Sequence, residues 1–255
     1  MKTEILKAVD LIRAHKPLIL NHTNYVTMDF MANSLLAVGA APIMTVCEDE
    51  IAELVKIAAC VNINIGTLDA DFVKRSEKII TFAKQYKKPV IFDPVGAGAT
   101  AIRTRVARQF LDSVDIIKGN ASEIMALVGA NTKPYGVETA NTIDDAREYA
   151  CILAQKHKIT VAVSGAVDFI TDGVREATVP FGSPLMTQVT GMGCVLGAII
   201  AAFRAVINNN FLGAKYAMQY FALCGEFAAT VANKPAALQS AFIDALYAAN
   251  FSNRS

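Results

Sequence analysis

The segment Thr190-Gly191-Met192-Gly193-Cys194 sets two glycines and a thiol at the threshold of an apolar run that continues to Phe203. Glycine is the costliest residue to order, so two of them opening a buried-type helix need a reason. Chemistry supplies one. With no side chains in the way, the backbone N–H groups from Gly191 to Gly193 form a turn of free amides at the helix start, where the positive end of the helix dipole helps them hold an anion. Two carboxylates stand at comparable places, Asp93 in FDPVGAG and Glu123 in KGNASE. On neighbouring strand ends they suit Mg²⁺, directly or through waters, because that ion takes few carboxylates and keeps several waters. A carboxylate-held metal facing an anion site at a helix start is the apparatus of phosphoryl transfer. Cys194 adds a candidate nucleophile, since a helix N-terminus lowers a thiol pKa. No histidine motif adjoins it, and phosphoryl transfer gains more from positioning and charge neutralisation than from covalent help, so direct transfer is expected.

Each of these residues also has a structural reading. Asp-Pro starts turns. Asn120 followed three residues later by Glu123 spells an N-cap with its capping box. Ser164-Gly165 in VSGAVD is unremarkable alone, Met44 after API suits a core, and His22 reads as a satisfied histidine at a loop edge rather than a base. Their joint position has to decide.

Short apolar, β-branched bursts alternate with longer helical stretches along the chain. PLILNHT, PIMTV, VNINIGT, PVIF, VDIIKGN and ITVAVSG read as strands. TMDFMANSLLAVGA reads as a helix closed by Gly39, EDEIAELVKIAACV as one opened by acids at its positive end, and DADFVKRSEKIITFAKQYKK as an N-capped one. From Gly191 onward the chain reads as helical, with breaks near NNN and at Pro235. Continuous apolar strands separated by helices mean a parallel sheet covered on both faces. The expected fold is therefore α/β, a doubly wound, mostly parallel sheet flanked by helices, with a helical C-terminal third and residues 1–255 as one domain. Ligands of such folds bind beyond the carboxyl ends of the strands. Polar or glycine residues stand at every exit: Asn21 to Asn24, then Gly66-Thr67, then Asp93 with Gly96 and Gly98, then Lys118, Asn120 and Glu123, then Ser164, Gly165 and Asp168.

Composition narrows the partners. Of the 255 residues 53% are apolar and 18% charged, with 24 basic against 23 acidic and no basic block, so nucleic acid is not expected. Five scattered cysteines without C-x-x-C spacing suit a reducing cytoplasm. MKTEILKAVDLIRAHK reads as an amphipathic helix rather than a signal peptide, and Cys194 to Phe203 falls short of the ~18 residues of a membrane span. Two rival classes remain. GAGATA, Gly96 to Ala101, fits the dinucleotide fingerprint, but on the fourth strand rather than the first and beside an unneutralised Asp93. No Walker A signature is present. A catalytically silent nucleotide-binding module predicts binding without turnover.

The blocks NHTNYVTMDFMANSLLAVGAAPIM, NIGTL, DPVGAGAT, KGNASEI and VTGMGC occur in this order across almost the whole chain and resemble the hydroxyethylthiazole kinase family, which is ribokinase-like. The first block is the most particular to that family. The resemblance implies ATP- and Mg²⁺-dependent phosphorylation of the hydroxyethyl side chain of hydroxyethylthiazole, in thiamine salvage, by a homotrimer with active sites between subunits. It makes Met44 and Gly191 thiazole contacts, with Asn24 nearby. Lys118 and Ser164 stand at its ATP positions, with Asn120 and Gly193 on the same side, and Asp93 and Glu123 match its metal-linked acids. Cys194 stands where related sugar kinases carry an aspartate base. Two positions depart from the family: Lys118 where Arg is common, which keeps the charge without the bidentate fork, and Met192 where a smaller residue is usual. The runner-up activity on the same fold is a hydroxymethylpyrimidine kinase.

Overall fold

Residues 2–129 and 143–249 are described in a computed structural model, the side chains of residues 143–145 excepted. Each of the six expected strands is present: β1 (Leu18–His22), β2 (Ala41–Ile43), β3 (Cys60–Asn64), β4 (Val90–Asp93), β5 (Ile116–Asn120) and β6 (Thr160–Ser164). They pair in parallel in the order β2-β1-β3-β4-β5-β6. Two further strands, β7 (Asp168–Thr171) and β8 (Glu176–Val179), continue the sheet antiparallel. Their connection turns at Gly173, whose φ of 85° is left-handed, while Asp172 accepts the N–H groups of Val174 and Arg175 at 3.1 and 2.7 Å.

The apolar strands are covered on both faces. One layer holds α3 (Ile51–Ile57), α4 (Ala70–Gln85), α5 (Ala101–Phe110), α6 (Ala121–Val128) and α7 (Ile143–His157), packed on Leu20, Val61, Ile63, Phe92, Ile117 and Val161. The other holds α1 (Lys2–His15), α2 (Met28–Val38), α8 (Met192–Val206), α9 (Asn210–Val231) and α10 (Pro235–Ala248), packed on Ile19, Cys60, Ile91, Ile116 and Ala162. Strand alternation then assigns faces: Asn21, Asn62, Asn64, Asp93 and Lys118 keep step with the residues of the second set and lie under α8.

Local signals explain most boundaries. Gly39 ends α2 at φ 106°, Asp69 caps α4 by accepting the Phe72 N–H at 2.6 Å, Asn209 caps α9, and Pro235 opens α10. The Glu48-Asp49-Glu50 acids form a separate 3₁₀ turn ahead of α3, and that helix stops at Ile57, shorter than expected. Among the described residues no helix is long and apolar enough to cross a membrane.

Candidate active site

Helix α8 brings three glycines over the carboxyl ends of the central strands, each for a different reason. Gly191, its N-cap, holds φ +90°, and a Cβ there would lie 2.7 Å from Thr27 Cγ2. Gly193 lies in the first turn without a left-handed backbone, and its absent Cβ would sit 3.1 Å from Lys118 Nζ. Gly197, one turn on, rests over Asn62 Oδ1 at 3.1 Å and Asp93 Oδ2 at 3.9 Å from where its Cβ would be. The N-cap has no side chain, so no side-chain cap covers the first-turn amides. These amides and the Lys118 ammonium converge on one spot at the helix start, which suits an anion.

Asp93 is buried at the end of β4. Its Oδ2 accepts from Lys118 Nζ at 3.2 Å and Asn64 Nδ2 at 2.9 Å, while Oδ1 has no partner. Burial pushes the Asp93 carboxyl up, against the pull of Lys118 and Asn64. For Lys118, burial works to lower the ammonium, but the charges of Asp93 and Glu123 outweigh it and hold the group above its ordinary value. Lys118 is therefore a fixed positive charge inside the site.

Glu123 and Asn120 realise the capping box: Asn120 Oδ1 accepts the Glu123 N–H at 2.9 Å, and Glu123 Oε2 accepts the Asn120 N–H at 2.8 Å. Glu123 Oε1 also accepts the N–H of Gly96 at 2.8 Å. Burial, then the nearby Asp93, push this carboxyl up to about 7 against those amides. The structural reading of the pair and its place beside Asp93 thus coexist. Among the described residues no group of three His, Cys, Asp or Glu side chains is assembled around a metal position. The unpartnered, buried Asp93 Oδ1 is nonetheless a hard oxygen donor with a second carboxylate nearby. Such a set fits Mg²⁺ completed by phosphate and water rather than a cage made of protein alone.

Cys194 is half-buried in the first turn of α8, with Asn24 Nδ2 3.4 Å from its Sγ. Its pKa is raised, not lowered: burial, then the Asp93 charge, outweigh Lys118 and the Asn64 and Asn24 amides. The helix-end effect expected from the sequence is overridden, and the group rests as a thiol. Asn24 is buried and donates to Asn64 Oδ1 at 2.9 Å. Ser164 pairs in register with Asn120, and its Oγ lies 3.4 Å from the Gly119 carbonyl. Met44 is half-buried beyond the edge strand β2, packed against the same apolar cluster as Met192 and Cys194. Asp168 accepts the Gly165 N–H at 2.9 Å, and burial pushes its carboxyl up to about 7. His22 stacks on Phe72 at 3.9 Å and donates from Nε2 to the Phe72 carbonyl at 3.1 Å; burial pushes it down to about 4, so it is a neutral, satisfied histidine.

The structure brings Asn24, Asp93, Lys118, Glu123, Gly193 and Cys194 into one connected group, with Asn120 and Ser164 beside it, while Met44 is joined to it only through the large apolar cluster on that side of the sheet. The GAGATA loop is not free to cradle a pyrophosphate, because the Gly96 N–H goes to Glu123 and the Gly98 N–H to Thr104 Oγ1 at 2.8 Å. Sequence reasoning missed Asn62 and Asn64. Their signal was asparagine at alternate positions of a strand with every residue buried, VNINI. It also missed Arg103, whose guanidinium donates to the carbonyls of Ile65, Val95 and Gly66 at 2.8, 2.7 and 2.9 Å and clamps two strand exits together.

The chain matches known proteins along nearly its full length. The model of the hydroxyethylthiazole kinase family matches residues 9–251. A hydroxyethylthiazole kinase from Chlamydia caviae is 47% identical over 253 residues, covering 98% of this chain and 97% of that protein. The solved structure of the hydroxyethylthiazole kinase protein from Pyrococcus horikoshii OT3 superposes with a TM-score of 0.89 at 38% identity, covering 96% of this chain and 93% of the other. A ribokinase-like superfamily protein from Enterococcus faecalis V583 shares the fold, with a TM-score of 0.67 at 15% identity over 92% and 87% of the two chains.

Proposed function

The chain belongs to the hydroxyethylthiazole kinase family, and from that membership we propose how its own residues perform the transfer. It is a kinase that phosphorylates the hydroxyl of hydroxyethylthiazole, a step of thiamine biosynthesis, with ATP as donor. Met44, Gly191 and Asn24 hold the thiazole. Lys118, the α8 amides at Gly193, Asn120 and Ser164 receive the ATP phosphates. Asp93 and Glu123 hold Mg²⁺, which when bound neutralises charge on the phosphates.

The raised thiol pKa of Cys194 supports a resting thiol that either orients the substrate hydroxyl or takes its proton late. With Asn24 donating to Sγ, the S–H borders the substrate hydroxyl and orients it before any proton moves. The transition state for phosphoryl transfer is loose, so the alcohol proton leaves late and charge neutralisation matters more than base strength. Lys118 supplies that neutralisation as a point charge rather than a fork. The observation that carries this reading is the Lys118 ammonium, set between Asp93 Oδ2 at 3.2 Å and the bare backbone of Gly193.

We read the whole chain as one kinase domain acting in the cytoplasm as a homotrimer, with sites between subunits. Tyr25 and Val26 follow Asn24, Val46 lies two residues beyond Met44, and all three are exposed. An apolar rim beside the substrate residues is what a second copy would cover. The deciding experiment is a coupled ADP-release assay with hydroxyethylthiazole and hydroxymethylpyrimidine offered separately. Preference for the pyrimidine overturns the substrate, and nucleotide binding without turnover on either favours the silent module.

A further inference from the structure

We infer that Asn64 is a positioning residue: its amide, locked by the Gly66 N–H and the Asn24 amide, fixes the rotation of the Asp93 carboxylate so that Oδ1 is left without a protein donor. The inference rests on the functional reading above and deepens it.

Asn64 ends β3, is fully buried and stands in register beside Asp93. Its Oδ1 accepts the Gly66 N–H at 2.9 Å and Asn24 Nδ2 at 2.9 Å. A backbone N–H only donates, so the amide cannot be turned over: oxygen faces Gly66, and the NH₂ group faces Asp93 Oδ2 at 2.9 Å. Asn24 is locked the same way. Its Oδ1 accepts the Thr27 N–H and the Thr27 hydroxyl, both at 3.1 Å, which turns its NH₂ group toward Asn64 and Cys194. The loop presses on this pair, for a Cβ at Gly66 would lie 2.9 Å from Asn24 Cβ and 3.0 Å from Asn64 Oδ1.

Two donors, Asn64 and Lys118, therefore share Asp93 Oδ2, and none reaches Oδ1. Lys118 alone would not settle the carboxylate's rotation, because an ammonium offers its three hydrogens in any direction. A flat amide held at both ends does. A leucine would lose the contact, and an aspartate would set an acceptor against an acceptor.

The test is Asn64→Ser, which keeps an acceptor for the Gly66 N–H but falls short of Asp93, so a purely structural role predicts a lower Tm with kcat unchanged. We expect kcat to fall about 10–100-fold, the usual cost of losing an orienting partner, with KM for ATP within about threefold on the same grounds. A folded Asn64→Ser with wild-type kcat, or one whose whole loss is in KM, overturns the inference. If Asn64→Ser does not fold, Asn64→Thr offers the same hydroxyl on a side chain suited to a strand and is read by the same two outcomes. Should wild type fail to use the thiazole, the functional reading fails alone, because a double-mutant cycle of Asn64→Ser with Asp93→Asn, read by Tm, still reports the contact as a non-additive loss.

Discussion

Glu123 Oε1 accepts the N–H of Gly96 at 2.8 Å, so the loop leaving β4 is fastened to the first turn of α6 by the carboxylate that neighbours Asp93. Charge and fold are joined in one side chain. Losing the charge therefore also disturbs the cap.

Asp93→Asn removes charge without an N–H partner to offend at Oδ1, and kcat should fall on the order of 10²–10³-fold, the scale of losing one preorganised electrostatic group. Glu123→Gln should lower kcat and also stability, because one amide hydrogen pair must face a backbone N–H. An unsatisfied buried donor costs about 1–3 kcal/mol, and each kcal/mol is roughly 2–4 °C of Tm at this chain length. Melting curves and an ADP assay across Mg²⁺ concentrations check this, and excess EDTA should abolish turnover. Near-normal rates for both variants at limiting Mg²⁺ leave the acids as a turn former and a cap.

The two glycines opening α8 should separate stability from activity. Gly191→Ala meets a left-handed φ and Thr27 together, so it should lower Tm sharply. Gly193→Ala sits in ordinary helix, where alanine is preferred by about 1 kcal/mol, yet its methyl would meet Lys118 Nζ at 3.1 Å. It should fold at least as well as wild type and lose most of kcat/KM. A fully active Gly193→Ala would place the transferred phosphate elsewhere.

Cys194→Ser and Cys194→Ala should be slowed yet active, at the low end of the ~10²–10⁴-fold worth of proton-transfer help, and kinetics should be sequential. Cys194→Asp should at least equal Ser, since it supplies a stronger acceptor that the Asn24 and Asn64 amides and Lys118 face, against the opposing charge of Asp93. Isolation of a phosphorylated cysteine, or a folded, ATP-binding Cys194→Ala with no turnover, contradicts this account.

Asp168 has a folded pKa near 7 caused by burial, above its unfolded value. Between roughly pH 4 and pH 7 the folded state holds a proton that the unfolded chain has released, so its contribution to stability declines as pH rises through that window. Asp168→Asn keeps an acceptor for the Gly165 N–H. Its Tm relative to wild type should be higher at pH 8 than at pH 5. Parallel Tm curves for the two proteins would show that Asp168 ionises in the folded state like an exposed carboxylate.

The strands were legible because each is a continuous apolar run, and the rule of searching just past each one reached Asn24, Asp93, Lys118 and Glu123. The β7–β8 hairpin was not, although Asp172-Gly173 is a turn signal, because its strands read as the tail of the sixth βα unit. Asn64 escaped because the apolar Ile65 follows it, so the run VNINI reads on past the true strand end and the exit was placed at Gly66-Thr67. The Cys194 pKa was read from one influence, the helix end, when burial and the Asp93 charge compete with it. Arg103 left no signal at all: its three carbonyl partners belong to the backbone of residues chosen for other reasons.

Asn24 and Cys194 touch across a sequence separation of 170 residues. During synthesis the strands that carry Asn64, Asp93 and Lys118 emerge long before the helix that roofs them. At about 5–20 residues per second, Asn24 waits on the order of ten to thirty seconds for its thiol partner. A nascent chain in that interval displays to water both this row of amides and charges and the apolar Ile19, Cys60, Ile91 and Ile116 of the same sheet face. Arrival of α8 dries that face and brings Cys194 to Asn24, so on the ribosome the site is assembled late, just ahead of α9 and α10, which close the layer around it.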